Sequence, residues 1–176
     1  MFGDLTETTR KYQGISVGAL VLNGDTLETV DQLYLEIKFD AEKYSWTTSA
    51  ERIHGLSVDY LNANGIEREE AAIILAEFIL KHFDNLDDVI FGGHHVDFDI
   101  AFTNQLLRDF DLSEVVPHHI RYDTSVVGAV VFGIPSSKKL FEFFGFERGT
   151  HNAFEDAEIA ANVIRVFRGI GNEYIG

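Results

Sequence analysis

A stripe of small apolar residues near the C-terminus constrains the fold more than any other part of the sequence. His151 and Asp156 lie at its N-terminal end, where an acidic residue also suits the dipole of a helix. The apolar residues recur every three or four positions, as on one face of an α-helix: Ala153, Ala157, Ala160, Ala161, Ile164 and Phe167. Because most of them are alanines, the predicted helix can approach a neighbouring element closely. It should bury this face and present a histidine and a carboxylate near its start.

The rest of the chain is typical of a mixed sheet covered by helices. Residues 2–6, 15–22 and 30–39 have strand-like patterns and are separated by short turns, which favours an antiparallel meander. Further along, short strands near 88–91 and 120–122 alternate with amphipathic helical segments. Such alternation indicates an α/β fold in which the later strands run parallel. No repeat or linker interrupts the pattern, so a single domain spanning 1–176 is predicted.

Composition excludes several classes of function. The 176 residues include no cysteine, which rules out disulfides and cysteine-ligated zinc. Asp and Glu outnumber Lys and Arg by 29 to 14, so a broad basic face for duplex nucleic acid is not expected. If the protein binds nucleic acid, metal ions should supply positive charge at a small site. The sequence shows neither a signal-peptide pattern nor a membrane-spanning run, which predicts a cytoplasmic protein without membrane contact.

Acidic residues are concentrated in three stretches, at 4–9, 93–99 and 151–156. Each stretch falls at a predicted strand end or helix start, where ligands gather in open α/β sheets. Carboxylates brought together there repel one another unless cations bind between them, and oxygen-rich sites suit Mg²⁺ or Mn²⁺. Two such ions about 4 Å apart can clamp the attacking and leaving oxygens of a phosphodiester. A neutral imidazole nearby could accept a proton from the attacking water.

Simpler interpretations compete for several of these residues. Asp99, Asp156 and His151 could be ordinary residues of helix ends. Adjacent residues of a strand point to opposite faces, which argues against a metal pair at 94–95. Asp97 is predicted to cap its helix. His54 is predicted to stabilise a loop. The lysines at 138–139 are predicted to be exposed to solvent, which is favoured over contact with substrate phosphates.

Taken in order, the motifs resemble those of the DnaQ-like 3'-5' exonucleases, specifically the DEDDh branch. The resemblance extends nearly from end to end. It rests on Glu7-Thr8-Thr9, Ile53-His54-Gly55-Leu56, His94-His95-Val96-Asp97-Phe98-Asp99, Asp123-Thr124 with the later Lys139-Leu140, and His151-x-x-x-x-Asp156-Ala157.

This resemblance implies an RNase H-like fold, with a mixed five-stranded sheet flanked by helices. It implies hydrolysis at the 3' end of single-stranded DNA or RNA, with release of nucleoside 5'-monophosphates and use of two Mg²⁺ or Mn²⁺ ions. A homodimer or a polymerase partner is possible. By position, four acids would be metal ligands and His151 the general base, while two residues would contact substrate. The ligands are Asp4, Glu7, Asp99 and Asp156, and the substrate contacts are Thr8 and Phe98.

The first motif departs from the family pattern of Asp-x-Glu. Leu5 occupies the Asp position when Glu7 is kept in register, and Asp4 lies one residue early. Residues three apart on a regular strand do not share a face, so a β-bulge at 5–6 is predicted to aim both carboxylates at one site. The alternative is a site short of one carboxylate, in a weakened or inactive exonuclease-fold module that binds nucleic acid or a partner.

Overall fold

A computed structural model describes residues 5–147 and 152–175 as short strands enclosed by helices. The helices in these ranges are α1 (Leu5–Lys11), α2 (Thr48–His54), α3 (Val58–Asn64), α4 (Arg68–Leu80), α5 (Val96–Arg108), α6 (Thr124–Phe132), α7 (Ser137–Phe143) and α8 (Ala153–Ile175). The strands are β1 (Ser16–Leu22), β2 (Thr29–Glu36), β3 (Asp87–Val89), β4 (Gly92–Gly93), β5 (Val116–Pro117) and β6 (Tyr122–Asp123).

The alanine-striped helix is α8, and it lies against the hairpin of β1 and β2. The sequence predicted a close approach to a neighbouring element but did not identify that element. Strands β1 and β2 pair antiparallel, with Gly18 opposite Tyr34. A β-carbon on Gly18 would lie 2.3 Å from the carbonyl carbon of Ala153 and 2.4 Å from the amide nitrogen of Phe154. The backbone of α8 therefore touches the backbone of β1 at its first turn, and only glycine permits this approach.

The predicted strand at residues 2–6 is wrong where the structure describes it, because Leu5 and Thr6 belong to helix α1. The Thr9 hydroxyl donates to the Leu5 carbonyl at 3.0 Å, within the helix. The side chain of Gln105, on α5, donates to the carbonyls of Thr9 and Tyr12 and so holds the C-terminal end of α1. These contacts override the strand preference of the threonine-rich sequence. The β-bulge predicted at 5–6 is wrong for the same reason.

The predicted five-stranded sheet is also not observed among the described residues. They form three two-stranded ladders: antiparallel β1–β2, parallel β3–β5 and parallel β4–β6. The ladder of β3 and β5 is irregular between Asp87 and Val89, where Asp88 has a φ of 67°. This left-handed residue breaks the extended backbone that a longer strand requires. In place of the predicted antiparallel meander, the described residues form one antiparallel hairpin, β1–β2. The predicted parallel pairing of the later strands is confirmed.

Two apolar clusters hold the helices that flank these ladders. The larger cluster joins α4 and α5 to the strands, through residues that include Ile37, Leu75, Val89, Leu106, Leu107 and Val115. The second cluster joins α7 to α8 through Leu140, Phe141, Ile159 and Val163. Together they fix α5 and α8, the two helices that carry predicted site residues, on the same framework.

A buried ionic contact fixes the C-terminal end of α5. Asp109 accepts hydrogen bonds from Arg68 and from the hydroxyl of Tyr44, and its other oxygen accepts from Lys43 at 2.6 Å. Arg68 and Asp109 are each about one-tenth exposed. These hydrogen bonds lower the pKa of Asp109 although burial opposes the shift. The contact ties α5 to α4 and to the loop after β2.

None of the helices in the described ranges combines the length and the apolar character needed to cross a membrane.

A candidate active site of clustered carboxylates

Asp99 lies in the first turn of α5, against the end of β4. A β-carbon on Gly93, the last residue of β4, would lie 3.3 Å from Asp99 Oδ2. The glycine therefore leaves room for the carboxylate to rest beside the strand end. His95 precedes α5 with a φ of 62° and is the N-cap residue of the helix. The strand end and the sharp turn into α5 together aim Asp99 at the edge of the β4–β6 ladder.

Asp123 lies directly across this ladder, since Gly93 pairs with Asp123. Its Oδ1 accepts from the backbone amides of His95 at 3.1 Å and Ser125 at 2.8 Å, and from the Ser125 hydroxyl at 2.6 Å. Its Oδ2 accepts from the Val96 amide at 3.3 Å. These hydrogen bonds lower the pKa of Asp123 although burial opposes the shift. Asp123 is therefore an anion that fastens the starts of α5 and α6 together.

Asp156 enters the same region from α8. Asn152 precedes the helix, and its Oδ1 accepts from the Phe154 amide at 2.8 Å, which is the capping contact of a helix start. The amide of Asp156 donates to the Asn152 carbonyl at 3.0 Å, so Asp156 belongs to the first turn. The predicted helix start near 152 is confirmed, and the close approach at Gly18 fixes its position over β1.

The three aspartates form one electrostatic group. Desolvation by the surrounding protein atoms raises the pKa of Asp99 to about 7, and the negative charges of Asp123 and Asp156 act in the same direction. Asp99 is nevertheless exposed to solvent. Because solvent still reaches its side chain, screening reduces the free energy that corresponds to this shift. A carboxylate with a raised pKa beside two others has the chemistry of a cation site.

Asp99 and Asp156 fit two positions of the metal site that the sequence predicted, since crowded oxygen donors suit hard divalent cations. Taken alone, residues 5–147 and 152–175 include no group of three or more His, Asp or Glu side chains arranged to hold a metal ion. Two members of the predicted set, Asp4 and His151, lie outside the described residues. The predicted set of metal ligands therefore stays a prediction.

The other predicted site residues in the described ranges lie on α1 and α5. Glu7 is exposed in the first turn of α1, and α1 packs on α5. Thr8 is half-buried, and its carbonyl accepts from the Tyr12 amide at 2.9 Å. Phe98 is 47% exposed, and its ring lies 4.9 Å from the ring of Phe102. An exposed aromatic ring supported by a second ring suits contact with a nucleobase.

Several of the simpler interpretations can be compared with the structure. His54 ends α2, and its Nδ1 accepts from the Leu56 amide at 3.1 Å, which confirms the structural role predicted for it. Asp97 does not cap α5, because His95 occupies that position, and Asp97 pairs with Arg121 instead. His94 Nδ1 lies 2.9 Å from the hydroxyl of Thr124.

Sequence reasoning included Asp123 in the series of motifs but missed its membership of the acidic group. It also missed two glycines that allow close contacts: Gly18 contacts the start of α8, and Gly93 leaves room for the Asp99 carboxylate. An isolated glycine within a strand pattern often marks a close approach of another backbone, so Gly18 carried a usable signal. Nothing comparable in the sequence brings Asp123 to Asp99, since that proximity depends on which short strands pair.

Neither a family profile nor a curated protein matches the chain. Solved structures do match. Exonuclease I of E. coli in complex with a dT13 oligonucleotide aligns with a TM-score of 0.72 at 14% identity, over 94% of this chain and 40% of that one. The chain thus spans less than half the length of Exonuclease I.

Two other solved structures align over more of their own length. A 3'-exonuclease bound to a histone mRNA stem-loop aligns with a TM-score of 0.62 at 15% identity, over 88% of this chain and 72% of that one. The nuclease domain of 3'hExo, a DEDDh family member bound to rAMP, gives 0.62 at 14% identity, over 89% and 82%. At such identities the similarity concerns architecture, and the chain has the mixed α/β fold of 3'-exonucleases.

Proposed function

We propose that this protein is a metal-dependent 3'-5' exonuclease that acts on single-stranded nucleic acid and releases nucleoside 5'-monophosphates. The observation that carries the proposal is the electrostatic group of Asp99, Asp123 and Asp156 at the starts of α5, α6 and α8, within a fold shared with 3'-exonucleases. Solved structures with this fold contain a dT13 oligonucleotide, a histone mRNA stem-loop or rAMP, which supports a nucleic-acid substrate.

In this proposal Asp99 and Asp156 hold two divalent cations, Mg²⁺ or Mn²⁺, together with Asp4 and Glu7. When bound, the cations would neutralise the carboxylates and stabilise the negative charge that develops on the phosphodiester. Phe98 and Thr8 orient the terminal nucleotide. His151 accepts a proton from the water that attacks phosphorus, the bond from phosphorus to the 3' oxygen breaks, and that oxygen takes up a proton.

The charge of the protein favours single strands over duplexes. With a formal charge of −15, it has no excess of Lys and Arg to neutralise the closely spaced phosphates of a double helix. A single strand can place one 3' end at the site and keep the remaining phosphates away from the acidic surface. The expectation of a cytoplasmic location, and of a homodimer or a polymerase partner, stays a prediction.

The proposal is tested with matched DNA and RNA oligonucleotides, each labelled at the 5' or at the 3' end. In Mg²⁺ or Mn²⁺, the 5'-labelled strands should shorten one nucleotide at a time, and the 3'-labelled strands should release labelled mononucleotide at once. The products should carry 5'-phosphates. Shortening from the 5' end, or 3'-phosphate products, would contradict the assignment.

Replacing His151 with alanine should lower turnover by about 100-fold or more, because removing a general base typically costs this much. Activity of the unmodified enzyme should also fall as pH drops through the range in which imidazole becomes protonated. Steady-state rates at several pH values measure both effects. His119→Ala removes an exposed imidazole outside the third motif and is the control. Near-normal turnover in the His151 variant would remove the histidine from the mechanism.

A second candidate is an exonuclease-fold module that binds nucleic acid or a partner without cleaving it. The helical conformation of 5–11 favours this candidate, because Glu7 projects from an exposed helix turn and not from a strand end. Titration with Mn²⁺ separates the two, since an ion that binds only the folded protein raises its melting temperature. A melting temperature that Mn²⁺ leaves unchanged would favour the non-catalytic module.

A further inference from the structure

We propose that the cleft between Tyr34 and Phe154 binds the base of an internal nucleotide of the single strand whose 3' end is cleaved. This inference rests on the proposed exonuclease function and names a second point of contact for the same substrate. The cleft has a volume of about 320 Å³ and is lined by Gln32, Tyr34, Asn152, Phe154 and Glu155.

The cleft exists because of the close approach of α8 to β1. Tyr34 lies opposite Gly18 in the β1–β2 ladder. The Tyr34 side chain therefore lies on the face of the hairpin to which a side chain at position 18 would also point. The start of α8 rests on that face at Gly18. Tyr34 and Phe154 are thereby brought edge to face, with ring centroids 6.5 Å apart and planes at 68°. The position of both rings thus depends on the contact that also positions Asp156.

Hydrogen bonds hold the Tyr34 ring in place while leaving it accessible. Its hydroxyl donates to Glu36 Oε1 at 2.6 Å and accepts from Asn152 Nδ2 at 3.1 Å. Tyr34 is 38% exposed, although both of its polar contacts are made within the protein. Tyr60 also bonds to Glu36 through its side chain and is 44% exposed. An exposed, oriented aromatic ring is prepared for stacking with a flat partner.

The composition of the cleft selects a nucleobase over a phosphate. Tyr34 and Phe154 offer ring faces, and stacking on aromatic rings is the principal contact of proteins with unpaired bases. The amides of Gln32 and Asn152 can donate to and accept from the polar edge of a base. Glu155 lines the same cleft and repels phosphate. A neutral, flat, hydrogen-bonding group therefore fits better than an anionic one.

The geometry of α8 indicates which nucleotide is bound. Residues two apart on a helix are separated by about 200° around its axis, so Phe154 and Asp156 lie on nearly opposite sides of a helix about 10 Å wide. A base in the cleft and a phosphate at Asp156 therefore lie on different sides of α8, which favours a base from a nucleotide other than the terminal one. The bound base belongs to a nucleotide upstream of the scissile bond.

The test compares the unmodified protein with Tyr34→Ala, using dT8 and dT2 as probes. Fluorescence anisotropy of 5'-labelled oligonucleotides in EDTA gives binding without turnover. Tyr34→Ala should weaken dT8 binding about tenfold, the effect expected for one lost stacking contact, and narrow the affinity difference between dT8 and dT2. Tyr34→Phe retains the ring and should preserve most of the dT8 affinity. Phe143→Ala, which removes an exposed ring on α7, is the control and should bind dT8 normally.

A second measurement uses the unmodified protein and does not depend on how a variant folds. Octamers of dT with 5-iodouracil at a single position are irradiated, and the cross-linked residue is mapped by mass spectrometry. An internal position should cross-link to Tyr34 or Phe154.

The inference would be overturned if the internal nucleotide cross-linked to residues outside the cleft, or if Tyr34→Ala bound dT8 as tightly as the unmodified protein does. It would also be overturned if the cleft bound a decaproline peptide and did not bind dT8, since the occupant would then be a peptide. If the protein binds dT8 through Tyr34 but cleaves nothing, the exonuclease proposal fails and the cleft assignment stands.

Discussion

Replacing Asp99 with asparagine is expected to lower exonuclease turnover by about 10³-fold, since losing one preorganised charged group at a reacting centre typically costs about 10² to 10³. The same change should raise the melting temperature of the metal-free protein at pH 8. At that pH the Asp99 carboxylate is ionised although desolvation and the charges of Asp123 and Asp156 disfavour this form, and asparagine removes the unfavourable charge. Catalysis and stability should therefore change in opposite directions.

The pH dependence of this stability effect has a definite sign. The pKa of Asp99 is about 7 in the folded protein, compared with an ordinary value of 3.8 for an aspartate. The folded state therefore holds more protons than the unfolded state between these values, and the contribution of Asp99 to stability declines as pH rises through this window. The gain in melting temperature from Asp99→Asn should be clear at pH 8 and small near pH 4. Differential scanning fluorimetry in EDTA at both pH values measures it.

Divalent cations should stabilise the unmodified protein more than the Asp99→Asn variant. Mn²⁺ is expected to raise the melting temperature of the unmodified protein at pH 8 and to have much less effect on Asp99→Asn, because one ligand is missing. Asp59→Asn is a matched control, since Asp59 is also an exposed first-turn aspartate, in helix α3. If Asp99→Asn lowers stability in EDTA, or retains the full response to Mn²⁺, the acidic group is not the metal site.

The elements predicted correctly were those with long, regular periodicity. The alanine stripe of α8, the amphipathic pattern of α5 and the alternating strands around Asn23-Gly24-Asp25 each specify their structure locally. Helix starts at Ser57 and Asp123 were also predictable, because their side chains accept from amides two or three residues further along. For these segments local preference and tertiary structure agree, so the sequence pattern was sufficient.

The elements predicted wrongly depend on partners that are distant in the sequence. Helix α1 contains Thr6, Thr8 and Thr9, which favour a strand locally, yet Gln105 fixes it as a helix from a position about 95 residues away. The short ladders are similar, since two-residue strands carry no period that a sequence pattern can reveal. The proximity of Asp123 to Asp99 follows from one of these ladders and was missed with it.

The contact between β1 and α8 predicts the largest effect on stability. In Gly18→Ala the new methyl group would lie 2.3 to 2.4 Å from backbone atoms of Ala153 and Phe154, so one of the two backbones must move. Overpacking typically costs about 1–3 kcal/mol, and backbone atoms cannot rotate away as a side chain can. We expect a loss of about 3 kcal/mol, or about 6–12 °C in melting temperature for a chain of this size.

Because the displaced segment is the first turn of α8, Gly18→Ala should also impair the site. A shift of about 1 Å in a catalytic group can cost about 100-fold in rate, so turnover should fall even at temperatures where the variant is fully folded. Gly24→Ala is the control, since a β-carbon on Gly24 has no atom within 4 Å and Gly24 lies in the turn of the same hairpin. If both variants melt and react alike, α8 is not seated on Gly18. If Gly18→Ala alone loses stability and turnover together, the small residues of α8 and the glycine of β1 act as one contact that places Asp156.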